Sequence, residues 1–218
     1  MTFPAAVLFD MDGTLTDSEK VWSIALDQLA AHHGKTLSTP TREAMVGTNM
    51  AVSMTMFHDD LGLPHDGVRA NVDWLETRMA ELLKAGAPWQ PGAQELLHAV
   101  RAAGYRTALV TATARELTDV LLDNTLGREN FDVSVCGDEV ADSKPDPAPY
   151  LKAAELLGVD PADCVAVEDS PTGMASAYAA GCRVLAVPSE VALDAPAGVV
   201  VIGSLMDADV ELLQTLGG

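Results

Sequence analysis

Two aspartates separated by one residue close an apolar run near the start of the chain, Val7-Leu8-Phe9-Asp10-Met11-Asp12-Gly13-Thr14. The run has strand character, and in a strand residues i and i+2 face the same side. Asp10 and Asp12 therefore converge on one site where the extended geometry continues through Met11. Two carboxylates that close repel one another. A divalent cation, or a division of labour into nucleophile and proton carrier, gives them a reason to coexist. The plainer reading is a polar turn after a strand, since Asp and Gly are ordinary turn residues. The choice rests on what the rest of the chain delivers to the same place.

Three later segments offer complementary groups. Thr111-Ala112-Thr113 follows an apolar run at 105–110, Lys144 lies in Asp-Ser-Lys-Pro-Asp-Pro ahead of a helical pattern, and Glu168-Asp169-Ser170 follows a run at 163–167. A hydroxyl and a lysine suit an anion, and carboxylates suit a cation. Taken singly each has a dull explanation: Thr111 as a strand end or cap, Lys144 as a solvated lysine, Ser170 as the cap of a helix with Pro171 at its first position. Their arrival in order at successive strand ends is what counts against chance. The five histidines show no metal-ligand spacing and read as surface or packing residues. Trp22 and Met11 suit either packing, the commoner role of an apolar helix face, or the cleft between the helical segment and the rest.

The elements that must position these groups follow from periodicity. Residues 17–86 are helical throughout, with apolar faces over 19–33, 42–49, 51–61 and 66–85 and no convincing strand. From Pro91 the texture alternates: helices at 92–103, 114–126, 147–157, 171–180 and 205–216, and strands at 105–110, 131–136, 163–167, 182–187 and 199–202. Such alternation predicts an α/β fold, a Rossmann-like parallel sheet with helices on both faces. The strand at 5–9 has no partner in the helical block and joins that sheet. The chain divides accordingly into a core of 1–16 and 87–218 and an inserted helical unit of 17–86, with Gly86 and Pro88 suited to a hinge. Open sheets of this kind bind ligands beyond the carboxyl ends of their strands, where the groups above lie.

Composition narrows the partners. At 218 residues and 48% hydrophobic the chain can bury a substantial core, and its formal net charge is -19. That charge argues against nucleic acid and against an anionic membrane surface. A phosphorylated metabolite would also be repelled unless a metal, a lysine or backbone N–H groups compensate locally. Cys136, Cys164 and Cys182 are an odd number without close pairing, each in or beside an apolar run, and read as buried free thiols suited to a reducing cytoplasm. The N-terminal run lacks a basic flank and is broken by Asp10, so a soluble cytoplasmic protein is expected.

The order of the four segments resembles the four motifs of the haloacid dehalogenase superfamily, whose first motif is Asp-x-Asp-Gly-Thr after a hydrophobic strand. The likeness spans the core and includes a helical cap between the first and second motifs, as in the phosphatase and β-phosphoglucomutase-like branch. It implies Asp10 as the nucleophile taking the phosphoryl group and Asp12 as general acid and base. It implies Thr111, with backbone N–H groups near Ala112, and Lys144 as the phosphate site. Mg²⁺ would lie on Asp10, the main-chain carbonyl of Asp12, and Asp169, with Glu168 either a ligand or an acceptor behind the ligands. The expected function is Mg²⁺-dependent hydrolysis of a small phosphorylated metabolite, a sugar or polyol phosphate, through an aspartyl-phosphate. The alternative is a β-phosphoglucomutase-like phosphoryl transferase, disfavoured because the cap loop Gly47-Thr48-Asn49-Met50 lacks the arginine expected in mutases. A receiver-like domain or a non-catalytic binding protein is the reading from another class.

Overall fold

The computed structural model describes residues 4–189 and 191–216. Six strands, β1 (Ala6–Phe9), β2 (Arg106–Val110), β3 (Val133–Val135), β4 (Cys164–Glu168), β5 (Arg183–Ala186) and β6 (Val200–Val201), form one parallel sheet in the order β3-β2-β1-β4-β5-β6. The helices are α1 (Glu19–His32), α2 (Thr39–Met45), α3 (Met50–Leu61), α4 (Val68–Leu83), α5 (Ala93–Ala102), α6 (Arg115–Leu121), α7 (Ala148–Leu157), α8 (Pro171–Ala179) and α9 (Val210–Thr215). Both faces of the sheet are covered, as its largely apolar strands require. Val7 and Phe9 of β1 join one buried cluster with Leu96 and Leu97 of α5, Leu117 of α6 and Leu213 of α9. Ala6 and Leu8 join the other, with Tyr150 and Ala153 of α7 and Met174 and Ala177 of α8.

Register brings the chemistry to one row. Phe9 pairs with Leu109 on one side and Val167 on the other, so Asp10 stands level with Val110 and Glu168, and Thr111 and Asp169 lie one step beyond. The Asp10 N–H continues the ladder to the Val167 carbonyl at 3.0 Å, and the Thr111 N–H reaches the Val135 carbonyl at 3.0 Å. Strand order reverses direction between β1 and β4, the switch point at which sheets of this type open a crevice.

Helices α1–α4 are inserted between β1 and α5. The two connecting segments are bonded to each other: the Asp17 N–H donates to the Pro88 carbonyl at 2.8 Å and the Gln90 N–H to the Leu15 carbonyl at 2.9 Å. Leu75 and Leu83 of α4 share the apolar cluster of Leu117 and Leu121 on α6, which seats the helical block on the sheet side. Among the described residues no helix is long and apolar enough to cross a membrane.

Two expected elements differ. The helix read over 205–216 is a 3₁₀ turn at Leu205–Asp207 followed by α9, because two separate caps start two separate turns: Ser204 accepts from the Met206 N–H and Asp209 from the Leu212 N–H. The helix read over 114–126 is α6 continued as a π turn through Leu122–Leu126. All three cysteines are buried free thiols, as expected. Burial pushes the thiols of Cys136 and Cys164 up to about 11 and that of Cys182 up to about 12.

Candidate active site

The loop after β1 is wound tightly. The Met11 carbonyl accepts from both the Leu15 and Thr16 N–H groups at 3.0 Å, and the Gly13 N–H donates to the Thr16 carbonyl at 2.8 Å. Gly13 has a φ of +85°, and a Cβ there would lie 2.0 Å from Asp169 Oδ2, so only glycine lets the loop and that carboxylate meet. Thr14 and Ser189 donate from their hydroxyls to Asp169 Oδ1 and Oδ2 at 3.2 and 2.5 Å.

Asp10 is 6% exposed and Lys144 5%, and they form a buried ion pair: Lys144 Nζ donates to Asp10 Oδ1 at 2.6 Å, to Glu168 Oε1 at 2.6 Å and to the Val110 carbonyl at 2.9 Å. All three donors of the ammonium are thereby directed. Burial works against the Lys144 charge, but the carboxylates of Asp10 and Glu168 outweigh it and hold the amine above its ordinary range. The Tyr150 hydroxyl, which burial beside Glu168 pushes well above its ordinary pKa, also donates to Glu168 Oε1. Room for the Glu168 carboxylate exists because residue 173 is glycine; a Cβ there would lie 2.0 Å from Glu168 Oε2.

The other oxygen of Asp10, Oδ2, is buried with no hydrogen-bond partner. Burial pushes the Asp10 carboxyl up to about 7, against the pull of Lys144 and with Glu168 and Asp12 adding to the rise. Asp10, Glu168 and Asp169 each offer a carboxylate oxygen, all within 4.8 Å of one another. Three clustered buried carboxylates, two of them paired with one lysine, and with one oxygen lacking any donor, fit a hard divalent cation with oxygen ligands.

Asp12 is held from both ends. Thr111 and Thr113 donate from their hydroxyls to Oδ2 at 3.2 and 2.8 Å, while Ser18 donates to Oδ1 at 2.5 Å and the Trp22 indole at 3.4 Å. The Thr111 hydroxyl also accepts from the Thr113 N–H at 3.0 Å. Above these groups is a cavity of about 110 Å³. Its floor includes Asp10, Asp12, Thr111, Ala112, Lys144 and Asp169, and its roof includes Trp22, Val46 and Met50 from the helical block. The roof is pinned where the Thr172 hydroxyl donates to the Gly47 carbonyl at 3.0 Å and Asn49 Nδ2 to the Ser143 hydroxyl. Gly47 has a φ of +72°, and a Cβ on it would lie 2.4 Å from Thr172 Oγ1.

Thus Asp10, Asp12, Thr111, Ala112, Lys144 and Asp169 are brought to one cavity, with Glu168 behind Lys144. Trp22, whose helix face suits packing or the cleft under the helical block, lines the cavity and touches Asp12. The roles of Ser18, Tyr150, Gly173 and Ser189 were not anticipated. Ser18 and Trp22 are four apart at the start of α1, a spacing that puts both on one helix face and signals a shared partner; Ser189 lies twenty residues beyond Asp169 and carries no such signal.

Fold and site together are those of a hydrolase built on a doubly covered parallel sheet. A family model for haloacid dehalogenase-like hydrolases matches residues 4–181, and the chain belongs to that family. It is 37% identical to protein CbbY of Rhodobacter capsulatus over 194 residues, covering 85% of this chain and 86% of that one. Against phosphoglycolate phosphatase of Nitrosospira multiformis it is 34% identical, covering 86% of both chains, and against hexitol phosphatase A of Escherichia coli 34%, covering 83% and 81%. The crystal structure of Rhodobacter sphaeroides CbbY in complex with xylulose-1,5-bisphosphate superposes with a TM-score of 0.83 at 28% identity, covering 94% and 96%. The chain is accordingly a phosphoric monoester hydrolase of the phosphatase and β-phosphoglucomutase-like branch.

Proposed function

We propose that the chain is a Mg²⁺-dependent phosphatase of a small sugar or polyol phosphate, working through an aspartyl-phosphate on Asp10, with 17–86 acting as a cap over the core. The observation that carries this reading is the asymmetric state of Asp10: Lys144 holds one carboxylate oxygen, while the other is buried, without a donor, beside Asp169. Bound by Asp10, Asp169 and the Asp12 carbonyl, with Glu168 as a further ligand or as the acceptor that fixes Lys144, Mg²⁺ would neutralise phosphoryl oxygens and let an anionic nucleophile approach an anionic ester.

This chain's own residues account for the rest. An Asp10 oxygen attacks phosphorus as the ester P–O bond breaks, and Asp12 gives a proton to the departing alkoxide. Asp12 then takes a proton from water as that water attacks the aspartyl-phosphate, releasing phosphate and restoring the Asp10 carboxylate. Four donors around Asp12 fix its orientation. Lys144 supplies the positive charge beside Asp10 in a chain of net charge -19. Thr111 with the backbone near Ala112 borders the phosphoryl position. The hexitol phosphatase among the relatives supports a small polyhydroxylated carbon skeleton as the leaving group.

The test is Mg²⁺-dependent release of phosphate from a panel of sugar and polyol phosphates. Activity that survives chelation, or that persists in a folded Asp10→Asn variant, would defeat the mechanism.

A further inference from the structure

The cavity roof carries a consequence for which phosphate esters fit, and this inference rests on the phosphatase reading above. Among the described residues lining the cavity only Lys144 and Arg42 are cationic. Lys144 is spent on Asp10, Glu168 and a carbonyl at the floor. Arg42 is spent at the opposite edge: its Nη2 donates to Asp27 Oδ1 and its Nη1 to the Ser23 carbonyl at 3.5 Å. Of the lining hydroxyls in the helical block, Thr48 donates to the Met45 carbonyl at 2.8 Å and lies 2.6 Å from the Ser53 hydroxyl, and Ser23 offers only a neutral group. The rest of that lining is mostly apolar, with Trp22, Val46, Met50, Leu75 and Leu117.

A second phosphate on the substrate, reaching that wall, would lose water without gaining a cation, the costly way to bury charge. An apolar face of a carbon skeleton, such as the C–H side of a sugar or polyol chain, loses nothing there and gains contact area against Trp22 and Met50. We propose that the roof selects singly phosphorylated substrates, with a leaving alcohol that bears no second anionic group and lays an apolar face on Trp22, Val46 and Met50. Selection against the second charge then comes from a missing partner, the repulsive half of specificity.

The experiment compares matched pairs on the Mg²⁺-supplemented protein: glucose 6-phosphate against glucose 1,6-bisphosphate and fructose 1-phosphate against fructose 1,6-bisphosphate. Each monophosphate should exceed its bisphosphate in kcat/KM by about tenfold or more, the scale of one unpartnered charge. Val46→Lys and Met50→Arg, each checked for an intact melting transition, should shrink that ratio by about tenfold by supplying the missing cation. Equal kcat/KM within the pairs would overturn the proposal. So would a preference for the bisphosphates that disappears in Arg42→Ala, which would make Arg42 a second phosphate site. Calorimetric binding of the same pairs to Asp12→Asn reads the selectivity without turnover. An inactive wild-type protein would therefore condemn the catalytic reading, while these affinities still decide the roof.

Discussion

Replacing Lys144 by alanine removes the only cation among two buried carboxylates, and the structure fixes what that should cost. Its ammonium contacts Asp10 and Glu168 at 2.6 Å each, and the three side chains are almost wholly buried, so solvent gives little relief. Breaking a buried pair by deleting one partner costs roughly 3–5 kcal/mol. For a chain of this size that is about 6–20 °C in Tm, at roughly 2–4 °C per kcal/mol. The loss has a characteristic pH dependence. The Asp10 carboxyl, already pushed up from 3.8 to about 7 by burial, favours the protonated form when folded. The stability linked to that proton is fully present below pH 3.8 and is lost as pH rises through about 7. Lys144 opposes this rise, so its removal pushes the carboxyl higher still and extends the loss to higher pH. Melting of metal-free Lys144→Ala and wild type in chelator should differ less at pH 5 than at pH 8. Lys144→Met, which keeps most of the side-chain volume, should show the same pH trend if charge rather than an empty space is responsible. A variant melting within about 2 °C of wild type at pH 8, or a deficit no larger there than at pH 5, would refute the reasoning.

Other perturbations separate the remaining roles. Asp12→Asn should lower turnover of alkyl phosphates by roughly 10²- to 10⁴-fold, the usual worth of a general acid and base. Steady-state rates at parent level would remove Asp12 from proton transfer. Asp10→Asn should abolish phosphate release in a protein that still melts cooperatively, because an amide is a poor nucleophile; turnover near the parent level in that folded variant would remove Asp10 from the nucleophile's role. Gly13→Ala should weaken the response of Tm to added Mg²⁺, since its Cβ would fall 2.0 Å from Asp169 Oδ2 on a backbone with a φ of +85°. A metal titration indistinguishable from wild type would show that the loop yields without moving Asp169.

The alternation of helix and strand after Pro91 was legible because the strands are short, mostly apolar segments and the helices between them end near a glycine, features that belong to single segments. The floor of the site was legible for the same reason: Asp10, Thr111 and Asp169 sit at the ends of runs, and parallel register carries them to one row. What periodicity could not give was any contact made across the chain. Ser189 reaches Asp169 from a loop after β5, and Tyr150 reaches Glu168 from a helix whose buried face looks merely apolar. Trp22 satisfies the pattern of a packed helix face completely, and its indole nitrogen next to Asp12 follows from how α1 is seated, which a pattern does not encode. The split of the last helical stretch came from two side-chain caps, Ser204 and Asp209, inside a segment whose apolar spacing suits a single helix.

The three thiols give this molecule a built-in clock. Cys136, Cys164 and Cys182 all lie against the sheet, and α1–α4 contain none. With pKa values pushed up to about 11 and 12, they present almost no thiolate at neutral pH, and thiolate is the species that reacts. A thiol reagent can therefore modify the chain only through excursions that part the sheet from α7 and α8 or from the loops around β3. Labelling rates would time the opening of the sheet alone, and a change in them caused by a ligand in the cavity would measure how firmly closure above the strand ends is transmitted to the strands beneath.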